Sequence, residues 1–289
     1  MHTIKLEGTA RNVIDLYLAL PFALSNEARP ACPYFNNRRS KSKSGLRVLR
    51  GKGTPHEIVE EAIIDSLHTR TDLKKLSKEG ITEFLVNHGL GVDCSGFAYH
   101  IFDALAHDHF KKGIKNFVTS NRRGFWGRII SRIRPAENIG VASFRNDKNS
   151  TQIDIQDIRP GDFITFMGTG KDNLYNHIVV VTEVTYAEQT KQDAEKNAKQ
   201  KNIKRITYAH SYAWPSDGKT GHGVREGSIT FATQITPPVA SPIASAILGP
   251  DVVWSEKGET RQNYNYTRES AEKAREVSIR RLNFMQIVD

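Results

Sequence analysis

The chain has little cysteine, no long apolar run and no internal repeat, and each shortage excludes a class of protein. Its 289 residues contain only two cysteines, Cys32 and Cys94, which excludes a disulfide framework or a cysteine-rich metal cage. The most apolar stretch near the start, 13–24, includes Asp15 and Pro21 and is too short to span a membrane. No repeat of fixed period appears, so solenoids and propellers are excluded. The composition predicts a globular protein without a membrane span.

Acidic residues are outnumbered by basic ones, 32 against 41, which gives a net charge of +9. This balance favours anionic partners such as nucleic acid, anionic lipid surfaces or cell-wall polymers. Residues 111–134 include eight basic residues and no acidic one, interleaved with Phe, Trp and Ile. We interpret this segment either as a surface for an anionic polymer or as a solvated face with no partner. The candidate contacts are Lys111, Lys112, Arg122, Arg123 and Arg128.

Helical periodicity dominates the first part of the chain. Apolar residues recur at helical spacing over 10–20, residues 54–57 (Thr-Pro-His-Glu) are typical of a helix start, and 72–88 is a third helical segment. Residues 93–96 (Asp-Cys-Ser-Gly) then begin a fourth helix, with Cys94 on its apolar face. The histidines at 100, 107 and 109 beside Asp108 are better explained by a helix C-terminus than by a metal, so no metal or other cofactor is predicted.

Strand patterns dominate the later part. Residues 163–167, 177–184 and 206–210 are rich in Val, Ile, Phe and Tyr, whereas 237–250 is a linker-like stretch of Pro, Ala and Ser. A further helix is predicted around 269–282. Helices followed by antiparallel strands indicate an α+β fold.

Cys94 is the candidate nucleophile, because a helix N-terminus stabilises the thiolate, which is the reactive form of cysteine. A base and a group that orients the base are also required. If strands 177–184 and 206–210 pair with Val179 opposite Tyr208, then His177 lies opposite His210 and both share one face of the sheet. His177 is then the candidate base and His210 the orienting group, with Ser211 and Asn202 as alternatives for the latter.

These motifs resemble the NlpC/P60 family of papain-fold cysteine peptidases. The similar features are, in order, residues 93–97 (Asp-Cys-Ser-Gly-Phe), 158–163 (Ile-Arg-Pro-Gly-Asp-Phe), 177–179 (His-Ile-Val) and 209–211 (Ala-His-Ser). The similarity covers about 91–212, with large insertions. It implies a papain-like core in which N-terminal helices pack on an antiparallel sheet, with Cys94 as nucleophile, His177 as base and His210 as orienting residue.

The resemblance also implies a tyrosine near the oxyanion site. Pro33-Tyr34 is the candidate, although it lacks the Trp-Gly-Gly of the family and lies 60 residues before Cys94; Pro21-Phe22 is a competing alignment without a hydroxyl. Ser95 is assigned to the same substrate and oxyanion region. His210 follows His177 by 33 positions, which exceeds the family spacing, and a polar hairpin insertion at 187–205 explains the excess.

The expected organisation is a hydrolase domain over 1–236, with insertions at 38–90, 111–150 and 187–205, followed by a linker and helical extension over 237–289. The expected activity is hydrolysis of an amide bond in a peptidoglycan stem peptide or related small peptide. Acyl transfer or deamidation by the same residues is one alternative, and a non-catalytic module that binds an anionic polymer is another. No clear signal peptide is apparent, which favours the cytoplasm or export by a route that the sequence does not reveal.

Overall fold

The structure is a computed structural model that describes residues 1–23, 29–36, 46–122, 124–187, 202–232, 243–256 and 265–288. It is a mixed α+β protein whose chain divides into two compact units. We call Glu7–Ser143 with His210–Arg225 the helical unit. The sheet unit comprises Met1–Leu6, Phe144–Ala209 and Glu226–Asp289. The α+β class predicted from the order of helical and strand patterns is therefore confirmed.

Nine α-helices lie within the described residues. They are α1 Gly8–Leu18, α2 Pro55–His68, α3 Lys78–Asn87, α4 Cys94–Phe110, α5 Phe125–Ile133, α6 Pro135–Asn138, α7 Val141–Arg145, α8 Ile243–Leu248 and α9 Tyr266–Glu272. The start of α2 shows why local sequence predicts these elements well. Thr54 accepts the backbone N–H of Glu57 at 3.2 Å, the Glu57 carboxylate accepts that of Thr54 at 2.8 Å, and Pro55 follows at the first helical position. None of the described helices has the length and apolar character needed to cross a bilayer.

In the part of the chain that the structure describes, eight strands form one sheet. They are β1 His2–Lys5, β2 Ser150–Gln152, β3 Phe163–Thr169, β4 Tyr175–Tyr186, β5 Ile203–Tyr212, β6 Gly223–Phe231, β7 Val252–Glu256 and β8 Glu276–Leu282. The order across the sheet is β2-β8-β3-β4-β5-β6-β7, and β1 pairs with β4. The pairings of β3 with β4 and of β4 with β5 are antiparallel, so the predicted strands at 163, 177 and 206 are neighbours in the sheet.

The register of β4 with β5 differs from the prediction. On the histidine side of a bulge between Val181 and Glu183, Tyr208 lies opposite Val181 rather than Val179, and Ala209 lies opposite Val180, a displacement of two residues. Side chains alternate with a period of two, so an even displacement leaves the hydrophobic pattern of each strand unchanged and the sequence cannot distinguish the two registers. The predicted pairing of His177 with His210 was therefore wrong in register. Because the displacement is even, the two histidines still lie on the same face of the sheet.

The C-terminal part also differs from the prediction of one helix over 269–282. Helix α9 ends at Glu272 and is followed by strand β8, which lies between β2 and β3. Val277 and Ile279 contribute to the apolar core of the sheet, whereas the next residue, Arg280, is buried and donates to Ser150 Oγ at 2.8 Å. Strand β7 also comes after residue 236, so the sheet continues beyond the predicted end of the hydrolase domain.

Candidate active site around Cys94

Cys94 is the first residue of α4, as the sequence predicts, and is 8% exposed. Asp93 is the N-cap: its backbone is extended, and its Oδ1 accepts the N–H of Gly96 at 2.7 Å. The cap fixes the direction in which the helix begins and thus the position of the next residue. The thiol is therefore held at the positive end of a 17-residue helix.

A buried lysine holds this cap in place. Lys52 Nζ lies 2.7 Å from Asp93 Oδ1, and both side chains are about one-tenth exposed. The Ser95 hydroxyl donates to the same Asp93 oxygen at 2.9 Å and also contacts Lys52 Nζ. We call Lys52, Asp93 and Ser95 the Lys52 cluster. The hydroxyl of Ser95, predicted to belong to the substrate and oxyanion region, is thus part of the helix cap.

Three chain segments converge on Val92, two residues before the thiol. Val92 forms a parallel bridge with Tyr34 and an antiparallel bridge with Lys52, and its N–H donates to the carbonyl of Pro33 at 2.9 Å. The Ser211 hydroxyl donates to the Val92 carbonyl at 2.7 Å. The structure therefore brings Tyr34 to the start of α4 despite the 60 residues that separate it from Cys94.

Tyr34 lies in the electrostatic environment of the thiol. Burial raises the pKa of its phenol, and negative charge at Cys94 and Asp93 raises it further. Asn36 Nδ2 donates to the phenol oxygen at 3.2 Å. The phenol therefore stays protonated at neutral pH, and with its oxygen already accepting a hydrogen bond, its own O–H proton is what it offers to an anion.

His210 and Tyr212 lie at the end of β5, in the same unit as Cys94. His210 is completely buried, and its ring stacks on Tyr212 with centroids 5.8 Å apart. Negative charge on Tyr212 is among the influences that raise the pKa of Tyr34. The end of β5 thus carries His210, Ser211 and Tyr212 toward the elements that surround the start of α4.

His177 lies in the sheet unit, on β4. It is 2% exposed, lies opposite Phe166 in the register, and stacks on that ring with centroids 5.8 Å apart. This stacking fixes the plane of the imidazole. The assignment of His177 as base stays a prediction.

The second cysteine has a different environment. Neither cysteine forms a disulfide, and Cys32 is completely buried, with its thiol 3.5 Å from the Pro33 carbonyl. Burial raises the pKa of the Cys32 thiol, because a low-dielectric environment disfavours the thiolate. Cys32 is therefore suited to packing and makes an internal reference for the reactivity of Cys94.

Of the Lys52 cluster, sequence reasoning missed Lys52 itself, which pairs with Asp93. Lys52 follows a basic run and has no local pattern that distinguishes it from a solvated lysine. The only available signal was Asp93 at the N-cap, whose carboxylate a buried cation can satisfy.

The predicted anionic-partner residues lie at the end of α4 and beyond it. Lys111 adopts a left-handed conformation that ends α4, with φ of 56°, and it is exposed, as are Lys112 and Arg122. Arg123 lies outside the described residues. Arg128 lies in α5, and the structure describes its backbone only. Among the described residues, no group of three or more His, Cys, Asp or Glu is arranged to hold a metal ion.

His100 gives the helical unit a pH dependence that can be measured. Burial lowers the pKa of His100 to about 4, against the opposing effect of a hydrogen bond of 2.9 Å with the Lys52 carbonyl. Between that pH and about 6.5 the unfolded chain binds more protons than the folded one, so stability falls as the pH drops through this range. We expect a loss of about 3 kcal/mol in the free energy of unfolding, measured by urea titration.

The variant His100→Gln keeps a donor for the Lys52 carbonyl and removes the titration, so its stability should change less over the same range. His109→Gln, an exposed residue of the same helix, should behave as wild type. Equal pH dependence in wild type and His100→Gln would contradict the assignment.

Comparison of the chain with protein families, with curated proteins and with solved structures found no match.

Proposed function

We propose that the protein is a thiol-dependent amide hydrolase with Cys94 as its nucleophile. The observation that carries the proposal is the position of Cys94: the first residue of α4, capped by Asp93, which a buried Lys52 holds. A thiolate formed there gains from the helix dipole. Tyr34, with its protonated phenol, adds a hydrogen-bond donor of the kind that an oxyanion requires.

The proposed reaction follows the logic of acyl transfer. His177 takes the proton of the Cys94 thiol, and the thiolate attacks the amide carbonyl to form a C–S bond. Backbone N–H groups at the start of α4 and the phenol of Tyr34 stabilise the oxyanion. As the C–N bond breaks, His177 returns its proton to the leaving amine, and His210 orients the base. Water then hydrolyses the thioester, which releases the acid and restores the thiol.

A papain-like core of the NlpC/P60 type is part of the proposal. Three features support it. The helix that carries the cysteine precedes β3, β4 and β5 in the chain, and the segment 158–163 leads directly into β3. The two histidines lie on β4 and β5, which are antiparallel neighbours. The substrate class implied by the resemblance is a peptidoglycan stem peptide or a related small peptide. If a supplied amine appears in the product, the same residues act in acyl transfer instead.

The test is the rate at which iodoacetamide alkylates each cysteine as a function of pH, with the labelled residue identified by mass spectrometry. We expect Cys94 to react and the buried Cys32 to remain unlabelled. The midpoint of the Cys94 rate curve should lie below about 8.5, the usual value for cysteine, because the thiolate is the reactive form. His177→Ala should move that midpoint toward 8.5, whereas the exposed His109→Ala should not.

An inert Cys94, or a rate curve that His177→Ala leaves unchanged, would overturn the proposed thiolate and imidazole pair. If alkylation supports the pair, release of amines from peptide and peptidoglycan fragments becomes the direct assay. Cys94→Ala should then abolish the release, and activity equal to wild type in that variant would refute a thiol mechanism.

A further inference from the structure

Helix α5 has the sequence pattern of a helix that buries one face. Its apolar residues fall at 125, 126, 129, 130 and 133, which at 100° per residue form one stripe, while Ser131 lies on the opposite side and Arg132 at the edge of the stripe. In a globular protein such a stripe normally faces the core.

The stripe of α5 faces solvent instead. Phe125 is 72% exposed, Trp126 73% and Ile133 73%, and Ile130 is also among the exposed large apolar residues. The rings of Phe125 and Trp126 lie against each other, with centroids 5.7 Å apart and nearly perpendicular planes. Large exposed apolar patches mark surfaces that contact a partner, so this face needs an explanation beyond ordinary surface composition.

The chain segment that contains the stripe is strongly cationic. Residues 111–134 contain eight basic and no acidic residues, and Lys111, Lys112, Lys115, Arg122 and Arg132 are exposed. A partner must therefore offer both apolar groups for the aromatic side chains and anionic groups for the basic ones. A polyanion without apolar groups satisfies only the second requirement. A single-stranded nucleic acid has bases that can stack on Phe125 and Trp126 but offers no apolar environment for Ile130 and Ile133.

We propose that α5 lies in the interface of an anionic lipid bilayer. Phe125, Trp126 and Ile133 enter the boundary between headgroups and acyl chains, while the exposed Lys and Arg side chains contact lipid phosphates. Trp is well suited to this depth because its amphipathic ring favours the headgroup level. The helix attaches the protein to the membrane surface without crossing it. This inference rests on α5 and its charges alone and is independent of the proposed hydrolase activity.

Tryptophan fluorescence tests the proposal directly. The chain has three tryptophans, and Trp126 is exposed while Trp214 and Trp254 are 2% and 6% exposed. On addition of vesicles of phosphatidylcholine with one third phosphatidylglycerol, we expect a blue shift of the emission and quenching by brominated acyl chains. Vesicles of phosphatidylcholine alone should bind at least about tenfold more weakly, and binding to anionic vesicles should decrease as salt is added.

Matched variants distinguish membrane binding through α5 from nonspecific binding by any exposed apolar residue. Phe125→Ser/Trp126→Ser should reduce sedimentation with anionic vesicles by about tenfold or more, and Arg132→Gln by a smaller factor. Leu67→Ser, at a residue that is 72% exposed in α2, should bind as wild type.

Three outcomes would overturn the proposal. The first is no binding to anionic vesicles. The second is tighter binding to a soluble polyanion, heparin or single-stranded RNA, than to anionic vesicles, which would favour the polymer-binding interpretation. The third is an oligomer that Phe125→Ser dissociates, together with vesicle binding that the double variant leaves unchanged, which would assign the stripe to contact between copies of the chain.

Discussion

Lys52→Met is expected to lower the free energy of unfolding by about 3–5 kcal/mol and to slow the alkylation of Cys94. The ammonium group of Lys52 is about one-tenth exposed and lies 2.7 Å from the Asp93 carboxylate. Removal of one partner of a buried ion pair leaves the other charge without compensation, and here the remaining charge is the N-cap of α4. The loss of stability, measured by urea denaturation, should therefore be accompanied by a change at the thiol.

Two controls make this result specific to the buried pair. Lys75→Met removes a lysine whose side chain is 83% exposed and which pairs with Asp72 at 3.5 Å, so its cost should be below about 1 kcal/mol. The double variant Lys52→Met/Asp93→Asn removes both charges and keeps a good capping side chain, so it should be more stable than Lys52→Met alone. A double variant that is less stable than Lys52→Met would show that the Asp93 carboxylate still stabilises the start of α4 without its cation, which contradicts the cost assigned here to the uncompensated charge.

Local signals in the sequence account for the parts of the fold that were predicted correctly. Helix α1, the capping box of α2 and the start of α4 each depend on residues within one or two turns of each other, and β3, β4 and β5 depend on short runs of β-branched and aromatic residues. The helix-start pattern at Asp93 also placed Cys94 at a helix N-terminus. The candidate nucleophile was thus predictable because its defining environment is local.

The parts that were not predicted depend on contacts between distant segments. Lys52 meets Asp93 across 41 residues, and β8 enters the sheet between strands that lie more than 100 residues earlier in the chain. The register of β4 with β5 is a different case, since the alternation pattern is compatible with any even displacement. Tyr34 was a candidate only through the resemblance, and its approach to Val92 depends on a pairing that its neighbours in sequence do not reveal.

Among the glycine-to-alanine substitutions near the site, Gly51→Ala is expected to have the largest effect on stability. Gly51 has φ of 72° and ψ of 28°, the left-handed conformation that costs other residues roughly 1–2 kcal/mol. A Cβ at this position would lie 2.2 Å from the carbonyl oxygen of Phe35, which belongs to the backbone and cannot move aside as a side chain can. The same Cβ would lie 3.3 Å from the N–H nitrogen of Asp93.

Relief of this clash requires displacement of the segment that carries Tyr34 away from Val92, and the loss of the packing on both sides adds to the backbone strain. We therefore expect the variant to lose more than about 3 kcal/mol in urea denaturation, or to fail to fold. Gly218→Ala is a control without a clash: no described atom lies within 4 Å of its Cβ position, and its φ of 66° with ψ of −161° is a combination that only glycine adopts readily, so its loss is an upper limit for backbone strain alone. A loss of only about 1–2 kcal/mol in Gly51→Ala, the cost of the left-handed conformation by itself, would mean that the Tyr34 segment adapts without cost. A folded Gly51→Ala protein in which Cys94 alkylation is unchanged would show that the position of this segment is not coupled to the thiol.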